Sequence, residues 1–363
     1  MTESTAKARF LTNLTVASRE KETGLLTVLT FFQWTHHSPF TIHHSLMTSS
    51  SPLFLCGMAR SGTTYLLTLL NAAAPIHLTY ESRMLKEGLA LYEALPTQTT
   101  LPRFNRFLDE LVTAEAENIR NMALIATLRR HQSELYELWC GRVPYATWIH
   151  HVYTLAYPQK PLWGDKLIRA EYMNWLNPVW PEARLILLYR DPRAVAASQK
   201  IMWQTTPELV AGYWHTHLTL SQQLTTSLGN RVLPVVYETL VQEPLPTLQT
   251  ILHFIQPGLE QAAAAILAAH PPQPASLHKW RHSLTPDEIR QIEGYCFTAM
   301  NQLGYTPEIA TAPHSLTRTT YFWHLWRAFK GVLWRPRLII RKRLWSRLRL
   351  MLRMGQGEDQ RKM

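Results

Sequence analysis

Eight residues, Gly57-Met58-Ala59-Arg60-Ser61-Gly62-Thr63-Thr64, carry the most distinctive chemistry in this chain of 363 residues. Their glycines are spaced as in a phosphate-cradling loop, whose backbone N–H groups open onto a helix N-terminus and attract an anion whatever the side chains are. In the Walker A form of such a loop a lysine reaches the β- and γ-phosphates and the next hydroxyl holds Mg²⁺. Here Thr63 stands at the lysine position, the cation is Arg60 inside the loop, and Thr63 and Thr64 offer hydroxyl donors at the helix start. Such a site suits an anion less charged than a triphosphate, bound with little or no metal. A second anion site is written in "ARLILLYRDPRAVAAS", from Ala183 to Ser198. Arg190 falls at the carboxyl end of a buried strand, where open α/β sheets place their ligands. Ser198 lies two turns into the following helix, so that the two can fork a second phosphate.

These residues need a scaffold, and its elements are readable. "PLFLCG" (Pro52 to Gly57) is a compact apolar run ending in the glycine loop, and "TYLLTLLNAA" follows with helical periodicity, which gives strand, loop, helix. "ARLILLY" is a continuous apolar run, as expected of a strand buried on both faces of a parallel sheet, and "RAVAASQKIMW" starts a helix just after a proline. "RVLPVVYETL" reads as another strand despite Pro234, and "PLPTLQTILHFI" as a helix. From Glu81 to about Tyr157 the pattern is helical, broken at Pro96, Pro102 and Pro144, which suggests a lid or acceptor-side insertion. The expected fold is α/β, a P-loop-type, mostly parallel sheet flanked by helices, with a helical insertion and a basic amphipathic C-terminal tail. The domain reading is an N-terminal extension (1–50), a catalytic domain (51–310) and the tail (311–363).

The pair "GMARSGTTYLLTLL" and "ARLILLYRDPRAVAAS" resembles the sulfotransferase superfamily. Its members bind 3′-phosphoadenosine 5′-phosphosulfate through a 5′-phosphosulfate loop and a 3′-phosphate motif. "WGDK" (Trp163 to Lys166), "VVYETLVQEPLPTLQTILHFI" and "HKWRHSLTPDEIRQIEGYC" resemble further family segments in the family's order. The loop arginine is closer to the tyrosylprotein and carbohydrate branches than to the phenol and steroid branch. The resemblance implies sulfuryl transfer from this co-substrate to a hydroxyl on a carbohydrate, lipid or small molecule, without a metal. Arg60, Ser61, Gly62, Thr63 and Thr64 would then hold the 5′-phosphosulfate, with Arg60 also catalytic, and Arg190 and Ser198 would hold the 3′-phosphate. Glu81, in "HLTYESRML", matches the position of a catalytic glutamate, and His77 is the competing base. Lys166 would place its ammonium on the sulfuryl or bridging oxygen; a surface ion pair with Asp165 is the alternative, and Leu167-Ile168 replaces the family's usual Thr-Pro. Tyr237 would pack on the adenine or serve as a core aromatic on a strand. Lys279 and Arg281 resemble the loop that closes over the co-substrate. Trp139, Tyr145, Trp148, His150, His151 and Trp163 are either acceptor-pocket lining or core.

Thirty-seven basic against 26 acidic residues give a formal charge of +11, which asks for an anionic ligand or surface. Eleven of the basic residues and no acidic one fall between Arg318 and Arg353, leaving the rest of the chain neutral. Within residues 320–353, apolar and tryptophan positions at helical spacing beside the cations describe a helix lying on anionic lipid. A membrane surface is therefore favoured over nucleic acid as partner, and a lipid-linked acceptor fits it. Three widely spaced cysteines make neither a disulfide framework nor a metal site. No signal-peptide pattern and no window of about 18 apolar residues is found, so the expectation is a cytoplasmic protein, peripheral on the inner face of a membrane. Two rival readings remain open: a P-loop kinase using ATP and Mg²⁺, with Asp191 as metal ligand, and an inactive membrane-peripheral nucleotide-binding module.

Overall fold

Strand β1 (Leu53–Gly57) is buried at every position, because it is the middle strand of a sheet covered on both faces. The structure, a computed structural model, describes residues 51–116 and 119–313. The N-terminal extension and the stretch 320–353 expected to lie on a membrane fall outside the described residues.

The chain runs from β1 through the glycine loop into α1 (Thr63–Ala72) and β2 (Ile76–Tyr80), then a π-helical turn (Met84–Gly88) and α2 (Leu89–Glu93). A helical layer follows: α3 (Leu101–Glu115), α4 (Met122–Arg130), α5 (Gln132–Cys140) and α6 (Tyr145–Ala156). β3 (Leu162–Leu167), α7 (Met173–Val179), β4 (Arg184–Tyr189), α8 (Pro192–Trp203) and α9 (Pro207–Leu228) lead to β5 (Val232–Val236). The chain continues with α10 (Tyr237–Gln242), α11 (Pro244–Ile255), α12 (Ala263–Ala269), α13 (Trp280–Ser283) and α14 (Pro286–Gln302).

The five strands form one sheet in the order β2-β3-β1-β4-β5, parallel at every pairing. The alternation of a strand's side chains divides the core in two. Phe54 and Cys56 of β1 join the cluster under α3 to α6, α9 and α14, whereas Leu53 and Leu55 join the cluster formed with α1, α11 and α12. Leu185, Ile186, Leu187 and Leu188 of β4 are at most 1% exposed, and each such burial stabilises by roughly 1.5–3 kcal/mol.

Two sequence expectations change in detail. The apolar run at 232–240 leaves the strand at Val236, and Tyr237 opens a helix rather than ending a strand. The aromatic stretch from Tyr145 is a core helix and not a lid: Tyr145, Trp148 and Tyr153 are at most 4% exposed, with Trp148 packed against Tyr92, Phe104 and Phe107. Of the other aromatic and histidine candidates, Trp163 is 2% exposed, and His151 is bound to Glu134 at 2.7 Å. Among the described residues no helix is long and apolar enough to cross a membrane.

Candidate active site

In a parallel sheet all strands deliver their carboxyl ends to one edge, and ligands collect there. Gly57, Tyr80, Lys166 and Tyr189 all stand at or beside those ends.

The glycine loop turns on two left-handed residues, Arg60 (φ 76°) and Gly62 (φ 91°). At Gly62 a Cβ would come within 2.3 Å of the Tyr237 ring, so only glycine lets the loop lie on that ring. Gly62 also caps α1 without any side-chain hydrogen bond to the helix, which leaves the helix start for an anion. Ser61 and Thr63 are buried, and Thr64 is exposed at the helix start.

The second motif folds onto the first. Arg60 Nε donates to Ser198 Oγ at 2.9 Å, and Arg190 Nη1 donates to Arg60 O at 3.0 Å. Gln199 Nε2 donates to Ala59 O at 3.0 Å. Arg190 lies 4.4 Å over the Tyr237 ring, and its Nη2 donates to Ser276 O at 3.3 Å. Its Nε is buried with no hydrogen-bond partner. An orphaned guanidinium N–H beside a second arginine and a serine hydroxyl is what a bound phosphate would satisfy.

At the other end of the loop stands a buried ion pair. Lys166, 2% exposed, places its ammonium 2.8 Å from Glu81 Oε1 and 3.7 Å from the centre of the Tyr80 ring. Tyr80 is opposite Lys166 in the β2–β3 register, with Arg120 over its ring at 4.2 Å. Burial pushes the Tyr80 phenol up, but the nearby Lys166 charge and hydrogen bonds from Lys166 and Thr64 outweigh it and hold the group below its ordinary value. Thr64, Tyr80, Glu81 and Lys166 thus form one polar cluster at the helix start.

Several expectations are corrected by this geometry. Lys166 does not pair with Asp165, because neighbouring residues of a strand point to opposite faces. Asp165 is fully buried, and its Oδ1 accepts from Thr79 Oγ1 at 2.8 Å and from Ser82 N at 3.0 Å. Burial raises the Asp165 carboxyl to about 7, against the opposing Lys86 charge and these hydrogen bonds. His77 sits near the amino end of β2, stacked on Tyr157 at 3.6 Å. Burial and then Lys160 lower it to about 4, and four residue steps of roughly 3.3 Å each separate it from Glu81, at the end of β2 away from the Lys166–Glu81 pair. Arg281 forks onto Glu308 and lies over Trp280. Lys279 is exposed just before α13. Asp191, the metal ligand of the kinase reading, caps α8 through Arg193 N at 2.8 Å and pairs with the Arg193 guanidinium, which also binds Glu293 at 2.6 Å.

Tyr80, Gln199 and Ser276 are contacts that reading the sequence missed. Tyr80 and Gln199 each adjoin a singled-out residue, which is a usable signal. Ser276 reaches Arg190 only through the fold.

A parallel α/β sheet with a glycine loop, two arginines and a hydroxyl at its carboxyl edge, and a lysine–glutamate pair beside them, defines a P-loop-type α/β protein with an anion-binding edge. The chain belongs to the sulfotransferase family, whose model matches residues 52–261, and is a sulfotransferase of that fold. Among solved structures it is similar to the sulfotransferase domain of the Synechococcus PCC 7002 olefin synthase, with 22% identity and a TM-score of 0.46 over 68% of this chain and 94% of that one. It is similar also to a sulfotransferase from Mycobacterium avium, with 17% identity and a TM-score of 0.40 over 72% and 79% of the two chains. A retinol dehydratase in complex with retinol and PAP shows 13% identity and a TM-score of 0.36 over 73% and 83%. No curated protein matches the chain.

Proposed function

We propose that the protein transfers a sulfuryl group from 3′-phosphoadenosine 5′-phosphosulfate to a hydroxyl of an acceptor, with Glu81 as general base. The observation that carries the donor assignment is the gathering of Arg60, Arg190 and Ser198 on the far side of the glycine loop, with Arg190 Nε left without a partner. Two phosphate positions, one at the loop and one at Arg190, are what a 3′,5′-bisphosphorylated nucleoside needs, and Tyr237 between them offers a ring for the base.

In this reading the acceptor oxygen attacks sulfur, its proton passes to the Glu81 carboxylate, and the bond from sulfur to the bridging phosphate oxygen breaks with the electron pair leaving on that oxygen. Lys166, held by Glu81 and Tyr80, stands where charge grows on the leaving oxygen, and Thr64 donates beside it. Positioning and electrostatic stabilisation then supply most of the rate, as in phosphoryl transfer. The kinase reading loses its metal ligand, since Asp191 is committed to α8 and Arg193.

General base catalysis contributes about 10²- to 10⁴-fold. Glu81→Gln should therefore lower transfer of label from a radiosulfur donor into a pooled lipid and polysaccharide extract by that factor, while binding of adenosine 3′,5′-bisphosphate stays within about threefold. Undiminished transfer by Glu81→Gln would remove Glu81 from the chemistry. Bisphosphate binding by the wild type with no transfer to any acceptor would instead favour the inactive binding module.

A further inference from the structure

Glu81 holds a backbone conformation that residues with side chains rarely adopt, φ 56°, and such strain persists only where the surroundings over-determine it. Asn121, 1% exposed, closes its amide on the end of β2: Tyr80 N donates to Asn121 Oδ1 at 3.1 Å, and Asn121 Nδ2 donates to Tyr80 O at 3.1 Å. β2 is an edge strand of the sheet, and this amide stands where a further strand would pair. Glu115 has no exposed surface. Its Oε2 accepts from Ser82 Oγ at 3.2 Å, Arg83 N at 2.8 Å and Met84 N at 3.2 Å, and its Oε1 accepts from Asn121 Nδ2. Lys166 O accepts from Glu81 N at 3.2 Å, and Asp165 Oδ1 accepts from Ser82 N at 3.0 Å. Every backbone N–H from Tyr80 to Met84 is therefore held, on either side of the residue whose carboxylate meets Lys166.

We propose that Glu115 and Asn121 are positioning residues of the sulfuryl-transfer site, which act through Glu81 by fixing the turn that aims its carboxylate at Lys166. The inference rests on Glu81 being the base. Neither residue reaches the glycine loop or Arg190 by any contact described above, so their effect belongs to the acceptor half of the site and not to nucleotide binding. A base displaced by about 1 Å forfeits on the order of 10²-fold in rate, which is why a buried hydrogen-bond frame matters to the chemistry.

The test is a double-mutant cycle on the full chain, with Asn121→Ala and Glu115→Gln each made alone and in a Glu81→Gln background. Transfer is read from a radiosulfur donor into a pooled lipid and polysaccharide extract, and adenosine 3′,5′-bisphosphate affinity is read by calorimetry. Each single change should lower turnover by about 10- to 100-fold with bisphosphate affinity kept within about twofold, and should cost less than about twofold further once Glu81 is glutamine. The same fold-loss in both backgrounds, or a parallel loss of bisphosphate affinity, would show a merely structural role and overturn the proposal. If Asn121→Ala does not fold, Glu115→Gln, which retains an accepting oxygen for the turn, carries the cycle alone. Turnover unaffected by Glu81→Gln itself would strike the base assignment, a separate result from failure of the cycle.

Discussion

Arg190 makes three contacts at once: a hydrogen bond to the loop backbone at Arg60, a hydrogen bond to Ser276 O, and a cation–π contact on Tyr237. Its Nε is nevertheless unpartnered. A charge-assisted hydrogen bond contributes about 1.5–3 kcal/mol, which is about 10- to 100-fold in affinity. Arg190→Ala should therefore weaken adenosine 3′,5′-bisphosphate by that factor and adenosine 5′-monophosphate by much less. Equal losses measured by calorimetry would mean that the arginine supports the loop and not the 3′-phosphate. Arg60, Arg190 and Ser198 can be picked out of the sequence because each sits in a contiguous motif whose local geometry follows from strand, turn and helix. The Lys166–Glu81 pair is different: Lys166 lies on β3 and Glu81 just past the end of β2, and the local alternative, Lys166 with Asp165, is closed by the pleat. Adjacent opposite charges in a sequence suggest an ion pair only where the backbone does not point them apart.

β3 carries both consequences of that pleat. One face presents Lys166 to the site, and the other presents Asp165 to Thr79 and Ser82 in the interior. Burial raises the Asp165 carboxyl from 3.8 to about 7, so folding disfavours its charged form. The sign follows: the folded state is unpenalised below about pH 4, loses stability as pH rises towards 7, and changes no further above it. Asp165→Asn keeps the oxygen that accepts both hydrogen bonds and removes the titration. The variant should match the wild type in acid and exceed it above pH 7 by at most about 4 kcal/mol, seen as a gap between thermal midpoints that widens with pH. A constant gap would show that Asp165 is ionised in the fold or does not titrate there. The strands themselves are legible in continuous apolar runs such as 185–188. Asn121 and Glu115 are not, because a polar residue that completes a sheet edge from another helix has no local pattern.

At the scale of the whole chain, the α/β reading agrees with the parallel sheet and its flanking helices. The charge excess of +11 says little about the site, since the basic block between Arg318 and Arg353 lies outside the described residues and the remainder of the chain is balanced. Specificity for the proposed donor must then come from placed groups and not from net charge: two arginines, a serine and a glycine loop linked by hydrogen bonds beside Tyr237. In the proposed reading this arrangement takes two separated phosphates; it offers neither the loop lysine nor a free aspartate at position 191 for a metal-bound triphosphate.

Calorimetric titration of the purified full chain with adenosine 3′,5′-bisphosphate and with ATP, each with and without Mg²⁺, tests that claim most directly. The account predicts bisphosphate binding that is indifferent to the metal and at least about 10-fold tighter than that of ATP, the difference expected of one charge-assisted phosphate contact. ATP binding that requires Mg²⁺ and surpasses the bisphosphate would contradict it and return Asp191 to the centre of the site.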